Sequence, residues 1–218
     1  MDGKDIGDWE AAILGWLREH APRGDPAHDL GHLLRVWRMA RALAEGEGGA
    51  DLLVVLAASL LHDVLNLPKG RPDRPRASCM AAERAVGILR GMGFPGDRLD
   101  AVAHAIEAHS FSAGIEPRSA EARIVQDADR LEALGAVGIA RCFAISGLMG
   151  RQIADTEDPL AEGRPLDDVR FALDHFEAKL LRLPGTMRTE AGRRVARERA
   201  AFLAAFRQRL AAEIRGGA

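Results

Sequence analysis

The sequence predicts an all-helical protein, and three observations carry that expectation. Apolar residues recur at three- and four-residue spacing along most of the chain, strand-like alternation is almost absent, and alanine-rich segments such as 101–108 and 196–205 favour helix intrinsically. With 218 residues, 47% hydrophobic and 28% charged, the chain is long enough to bury a core without disulfides or a structural metal. The expected architecture is one domain over 1–218, a bundle of about eight or nine helices.

Each expected helix lies between recognisable breakers. Helix 8–20 stops before Pro22–Pro26, and helix 29–46 before Gly46–Gly49. Helix 51–64 contains Leu52–Leu61, apolar on nearly all sides and therefore expected to be buried. After Pro68–Pro75 come 77–92, ended by Gly91–Gly96, and 97–109, ended before Gly114–Pro117. Segments 119–127 and 130–147 follow, with Asp127-Ala128-Asp129 opening the second of them. The longest break, Gly150–Pro165, reads as a linker before a C-terminal hairpin or as a long loop over the helical body. Helices 167–183 and 187–213 flank Pro184-Gly185.

Composition excludes several function classes. Thirty basic against 32 acidic residues give a net charge of -2, which offers no general field for nucleic acid or an anionic membrane. Only Lys4, Lys69 and Lys179 are lysines, so the basic residues are overwhelmingly arginine. Cys79 and Cys142 form no CxxC pair, the opening Met-Asp-Gly-Lys-Asp is no signal peptide, and no apolar run reaches bilayer length. The expected location is the cytoplasm.

Three clusters of metal-capable side chains fall on separate segments. In His28-Asp29-Leu30-Gly31-His32 the two histidines share a helix face; His62-Asp63 closes the apolar helix; Asp127-Ala128-Asp129 is the third. Each has a plain structural reading. His28-Asp29 after Pro26 is also an ordinary helix start, and Asp129 with Glu132 also fits a capping pair. The His62-Asp63 pair is harder to explain structurally, because a charged Asp at the end of a buried helix needs a compensating partner. A cation compensates both side chains.

The order His32 … His62-Asp63 … Asp129 resembles the HD-domain superfamily of metal-dependent phosphohydrolases. The likeness extends through His28-Asp29-Leu30-Gly31-His32-Leu33-Leu34-Arg35-Val36-Trp37, Leu61-His62-Asp63-Val64 with Lys69 downstream, Ala105-Ile106-Glu107-Ala108-His109-Ser110-Phe111-Ser112, and Asp127-Ala128-Asp129-Arg130-Leu131 followed by Gly138-Ile139-Ala140-Arg141. It covers roughly residues 20 to 185 and points to the branch of small bacterial HD hydrolases. The resemblance implies an HD core over about 20–150, with C-terminal helices 167–213 packing on it. It also implies one divalent cation held by His32, His62, Asp63 and Asp129. Such a mixed nitrogen and oxygen set without thiolate suits manganese best, with magnesium, iron or cobalt also reasonable.

The implied activity is hydrolysis of a phosphoester or phosphoanhydride by a metal-activated water. Lys69, on a Pro-flanked loop with Arg71, Arg74 and Arg76, is the expected phosphate contact, and Asn66 orients a water or an oxygen. Because Val64-Leu65-Asn66-Leu67 holds no carboxylate, Asp63 or Asp127 is left to assist the water. His109 is expected to touch substrate or donate a proton to the leaving group, and His28 to support His32 from behind. With no tyrosine, base stacking falls to Trp37, Phe94, Phe111 or Phe143. The expected substrate is a small phosphorylated molecule, specifically a nucleoside triphosphate cut to monophosphate and pyrophosphate. The alternatives are an HD-type phosphodiesterase or phosphomonoesterase, or a catalytically silent metal- or nucleotide-binding module.

Overall fold

A computed structural model describes residues 4–20, 29–65, 71, 73–110 and 113–217. Among them there are nine α-helices and no strand, only an isolated bridge between Gln152 and Phe171. The helices are α1 (Ile6–His20), α2 (Leu30–Glu47), α3 (Leu52–Leu61), α4 (Ala77–Gly91), α5 (Leu99–His109), α6 (Ala120–Leu131), α7 (Gly135–Leu148), α8 (Asp174–Ala178) and α9 (Glu190–Ile214). The all-α expectation stands. No single helix among the described residues is long and apolar enough to cross a membrane. The chain divides into two compact units, Met1–Asp129 and Arg130–Ala218.

In the first unit α3 is the hub, packed against α1, α2, α4 and α5. Val55, Leu56, Ala57, Ala58, Leu60 and Leu61 are wholly excluded from solvent, and each buried leucine contributes about 2 kcal/mol of transfer free energy. The start of α3 is fixed by Asp51, whose carboxylate accepts from the Leu53 N–H at 3.0 Å and pairs with Arg98 at 2.6 Å. Glu121 at the head of α6 accepts from the Asp51 N–H at 2.9 Å. With its entry fixed from two sides, α3 delivers His62-Asp63 to a defined place at its far end.

Two element boundaries differ from expectation. The helix expected to end at 127 runs on to Leu131, so Asp129 sits inside α6 and opens no new helix. It stops at Leu131, and α7 opens at Gly135, whose φ of +69° lies in the left-handed region that favours glycine. This also removes the capping-pair reading of Asp129.

The helix expected over 167–183 is instead a turn, the short α8 and a 3-10 stretch, Leu180–Thr186. Backbone N–H groups at Ala172 and Leu173 donate to Gln152 and Ile153 carbonyls at 2.8 and 2.9 Å, leaving no helical ladder there.

In the second unit α7 and the Leu180–Thr186 stretch both pack on α9, which is capped by the Thr189 hydroxyl accepting from the Gly192 N–H at 2.9 Å. Phe143, Phe176 and Phe206 form an aromatic cluster with centroids 5.9–6.2 Å apart. The 150–165 stretch belongs to this unit, and Arg207 of α9 donates to the Leu160 carbonyl at 2.8 Å. Within it, Asp155 and Asp158 accept backbone N–H groups, and Arg164 binds the buried Asp174 carboxylate bidentately at 2.6 and 2.8 Å.

Candidate metal centre

Three segments of the first unit converge on one cluster. His32 lies in the first turn of α2, with its N–H held by the N-cap Asp29 carboxylate at 2.8 Å. His62 and Asp63 follow the last residue of α3, and Asp129 lies in the last turn of α6. His32 Nε2 is 3.3 Å from His62 Nε2, 3.6 Å from Asp129 Oδ1 and 3.7 Å from Asp63 Oδ2. His62 Nε2 is 3.5 Å from Asp63 Oδ2 and 3.8 Å from Asp129 Oδ1.

The histidine side chains are fully buried, whereas Asp63 and Asp129 keep 15% and 29% of their side-chain surface.

The His62 Nδ1 donates to the Ser59 carbonyl at 2.8 Å, since a carbonyl only accepts. That bond leaves Nε2 as the ring nitrogen turned to the cluster. Ligands at about 2.1 Å from a first-row cation stand about 3.0–3.4 Å from one another. The observed separations are within a few tenths of that range, and the donors are two imidazole nitrogens and two carboxylate oxygens with no thiolate. Two overlapping triads, His32–His62–Asp129 and His62–Asp63–His109, each bring their ligand atoms within 4.8 Å of one another, and nitrogen and oxygen donors of this kind suit a divalent cation.

His109, the last residue of α5, stands next to this group. Its ring meets the His62 ring edge-on at 4.8 Å between centroids, and Nε2 is 3.9 Å from Asp63 Oδ1. Its Nδ1 donates to the Ile106 carbonyl, three residues back, as His62 does to Ser59. Burial, with His62 nearby as a lesser cause, holds the His109 ring below the usual imidazole range. Thus Nε2 of His109 faces Asp63 as an acceptor.

The other expected residues divide clearly. Lys69, Asn66, His28 and Phe111 lie outside the described residues. Arg76 is exposed at the end of a 3-10 turn, Arg74–Arg76, that leads into α4. Arg71 donates to the Asp73 carboxylate with two bonds of 2.8 Å, so its charge is already matched within the chain.

Asp127 is fully buried, two residues from Asp129 and so on a different face of α6. His104 accepts the Arg118 N–H at 3.0 Å and serves the turn between α5 and α6. Of the stacking candidates, Trp37 and Phe94 are core residues and Phe143 belongs to the aromatic cluster of the second unit.

One residue escaped the sequence reading. Gln126 is 2% exposed, and its Nε2 donates to the Ala108 carbonyl at 2.7 Å, beside His109. A polar residue one helical turn before Asp129, on a helix with buried Ile124, Val125 and Ala128, was the available signal.

Known proteins resemble this chain along nearly its whole length. The HD domain model matches residues 29–134. YpgQ of Bacillus subtilis (strain 168) is 35% identical over 208 residues, covering 94% of this chain and 93% of that one. The crystal structure of YpgQ in complex with ADP superposes with a TM-score of 0.71 at 33% identity, covering 92% of each chain. An HD-superfamily hydrolase from Bacillus thuringiensis gives a TM-score of 0.74 at 30% identity, covering 95% of this chain and 97% of that one.

Proposed function

The chain belongs to the HD-domain family of metal-dependent phosphohydrolases, and on that premise we propose that it hydrolyses nucleotides, cutting (deoxy)nucleoside triphosphates to monophosphate and pyrophosphate. The approach of the His32 and His62 Nε2 atoms to each other and to one oxygen of Asp63 and one of Asp129, at 3.3–3.8 Å, carries this reading. These four residues would hold one divalent cation, manganese ahead of magnesium, iron or cobalt. Such an ion, when bound, supplies Lewis acidity that acidifies water and draws charge from a phosphoryl oxygen. The ADP complex of YpgQ supports a nucleotide ligand.

The chain's own groups then divide the work. Asp63 turns Oδ2 to the cluster and Oδ1 towards His109. The His109 Nε2 lone pair takes a proton from the attacking water and later yields it to solvent. The water oxygen bonds to the α-phosphorus as the bond from that phosphorus to the α–β bridging oxygen breaks. Pyrophosphate departs as an anion and needs positive charge more than a proton, which is the role assigned to Lys69 and Arg76, with Asn66 binding an oxygen.

The test is a panel of nucleoside mono-, di- and triphosphates with added manganese, magnesium or cobalt and identified products. Pyrophosphate with monophosphate is expected. Orthophosphate alone would move the activity to a phosphomonoesterase. Inactivity on nucleotides and on generic phosphoesters with every ion would leave a binding module.

A further inference from the structure

A side chain from the middle of α6 hydrogen-bonds the last turn of α5. An α-helix leaves its last four carbonyls without intrahelical partners. At the end of α5 two of these are served by side chains: the His109 ring takes Ile106, and Gln126 Nε2 takes Ala108 at 2.7 Å. The oxygen and nitrogen of the Gln126 amide are not interchangeable here, because only the nitrogen donates to a carbonyl. The remaining oxygen is buried and has no hydrogen-bond partner among the described residues. The side chain is therefore held by the one bond to Ala108.

The geometry points to Gln126 as a positioning residue for His109. The Ala108 carbonyl and the His109 nitrogen belong to one planar peptide unit. Fixing that carbonyl fixes the plane from which His109 departs, and the bond from its own Nδ1 to Ile106 then sets the ring. Together the two bonds aim Nε2 at Asp63 Oδ1, 3.9 Å away. Gln126 is also three residues before Asp129, one turn back on α6. One helix thus carries both a member of the donor cluster and the brace of the neighbouring acceptor, keeping the two in register. This inference rests on the reading of His109 as the proton acceptor.

The test is a double-mutant cycle in the full-length protein with manganese, using Gln126→Met, His109→Ala and the pair. A misaimed acceptor lowers kcat by about 100-fold, with KM little changed. Manganese affinity, measured by calorimetry without nucleotide, stays within about threefold of native. In the His109→Ala background, Gln126→Met changes kcat by less than about twofold. An equal loss in both backgrounds would overturn the inference, as would loss of manganese binding in Gln126→Met.

A second readout needs neither substrate nor metal. The His109 Nδ1 proton, followed by NMR, exchanges at least about tenfold faster in Gln126→Met. Should that variant fail to fold, Gln126→Asn, one methylene short of Ala108, gives the same outcome. Unchanged exchange in a folded variant would refute the positioning role even if the protein proves inactive on nucleotides, whereas faster exchange in an inactive protein would sink only the catalytic reading.

Discussion

Two groups of buried and half-buried carboxylates answer the same electrostatic problem differently. In the second unit, Asp174 is 1% exposed, and the chain supplies its cation in Arg164, at 2.6 and 2.8 Å. In the first unit, Asp63 and Asp129 face two histidine Nε2 atoms, one of them on a ring whose Nδ1 is taken by the Ser59 carbonyl. The first arrangement is electrically complete and so structural. The second concentrates electron pairs at one point, which is what a site for an external cation needs.

Breaking each group in turn tests that contrast. Asp63→Ala should abolish bound manganese and lower turnover by at least about 10³-fold, with helical content unchanged. Metal analysis of the purified variant checks it, and retained stoichiometry would remove Asp63 from the donor set. Arg164→Ala should do the reverse, costing about 3 kcal/mol of stability by stranding the Asp174 carboxylate while leaving manganese affinity as it is. Denaturant unfolding with and without manganese separates the two effects.

Gly135→Ala tests the junction after α6. At φ +69°, with the Arg199 Cγ 3.2 Å from the position of a new Cβ, it should cost about 1–2 kcal/mol. A smaller loss would mean the junction relaxes.

The smallest effect concerns acid. Backbone N–H donors hold Asp155 and Asp158 below the usual carboxylate range in the folded protein. Their contribution to stability is present at neutral pH and is lost as the pH falls through those lowered values, because the unfolded chain takes up protons first. Unfolding midpoints should therefore fall more steeply in acid for the native protein than for Asp158→Asn. Parallel curves would show that these bonds confer no pH dependence.

Much of this was legible in the sequence because the relevant signals are local. The apolar stretch Leu52–Leu61 announces a buried helix, and a His-Asp pair at its end has few structural uses. The boundaries that went astray depend on distant partners or on backbone conformation. Residues 172–173 are taken from a helix by 152–153, about twenty positions away in sequence, and the next helix after α6 opens at a glycine whose positive φ no composition reveals. Gln126 was overlooked because its meaning lies in Ala108, a residue with nothing in its own chemistry to mark it.

The fold-back of His62 onto Ser59 and of His109 onto Ile106 has a kinetic corollary. Each ring selects its free nitrogen using a carbonyl three residues earlier in the chain, so that selection is finished when the helix end forms. The expected outcome is that the protein folds without an ion, unlike small zinc-dependent domains that remain unfolded until the ion arrives, and circular dichroism of metal-stripped protein checks it. Uptake by the folded apoprotein should follow the pace at which each ion sheds its hydration water, with fast-exchanging ions captured first.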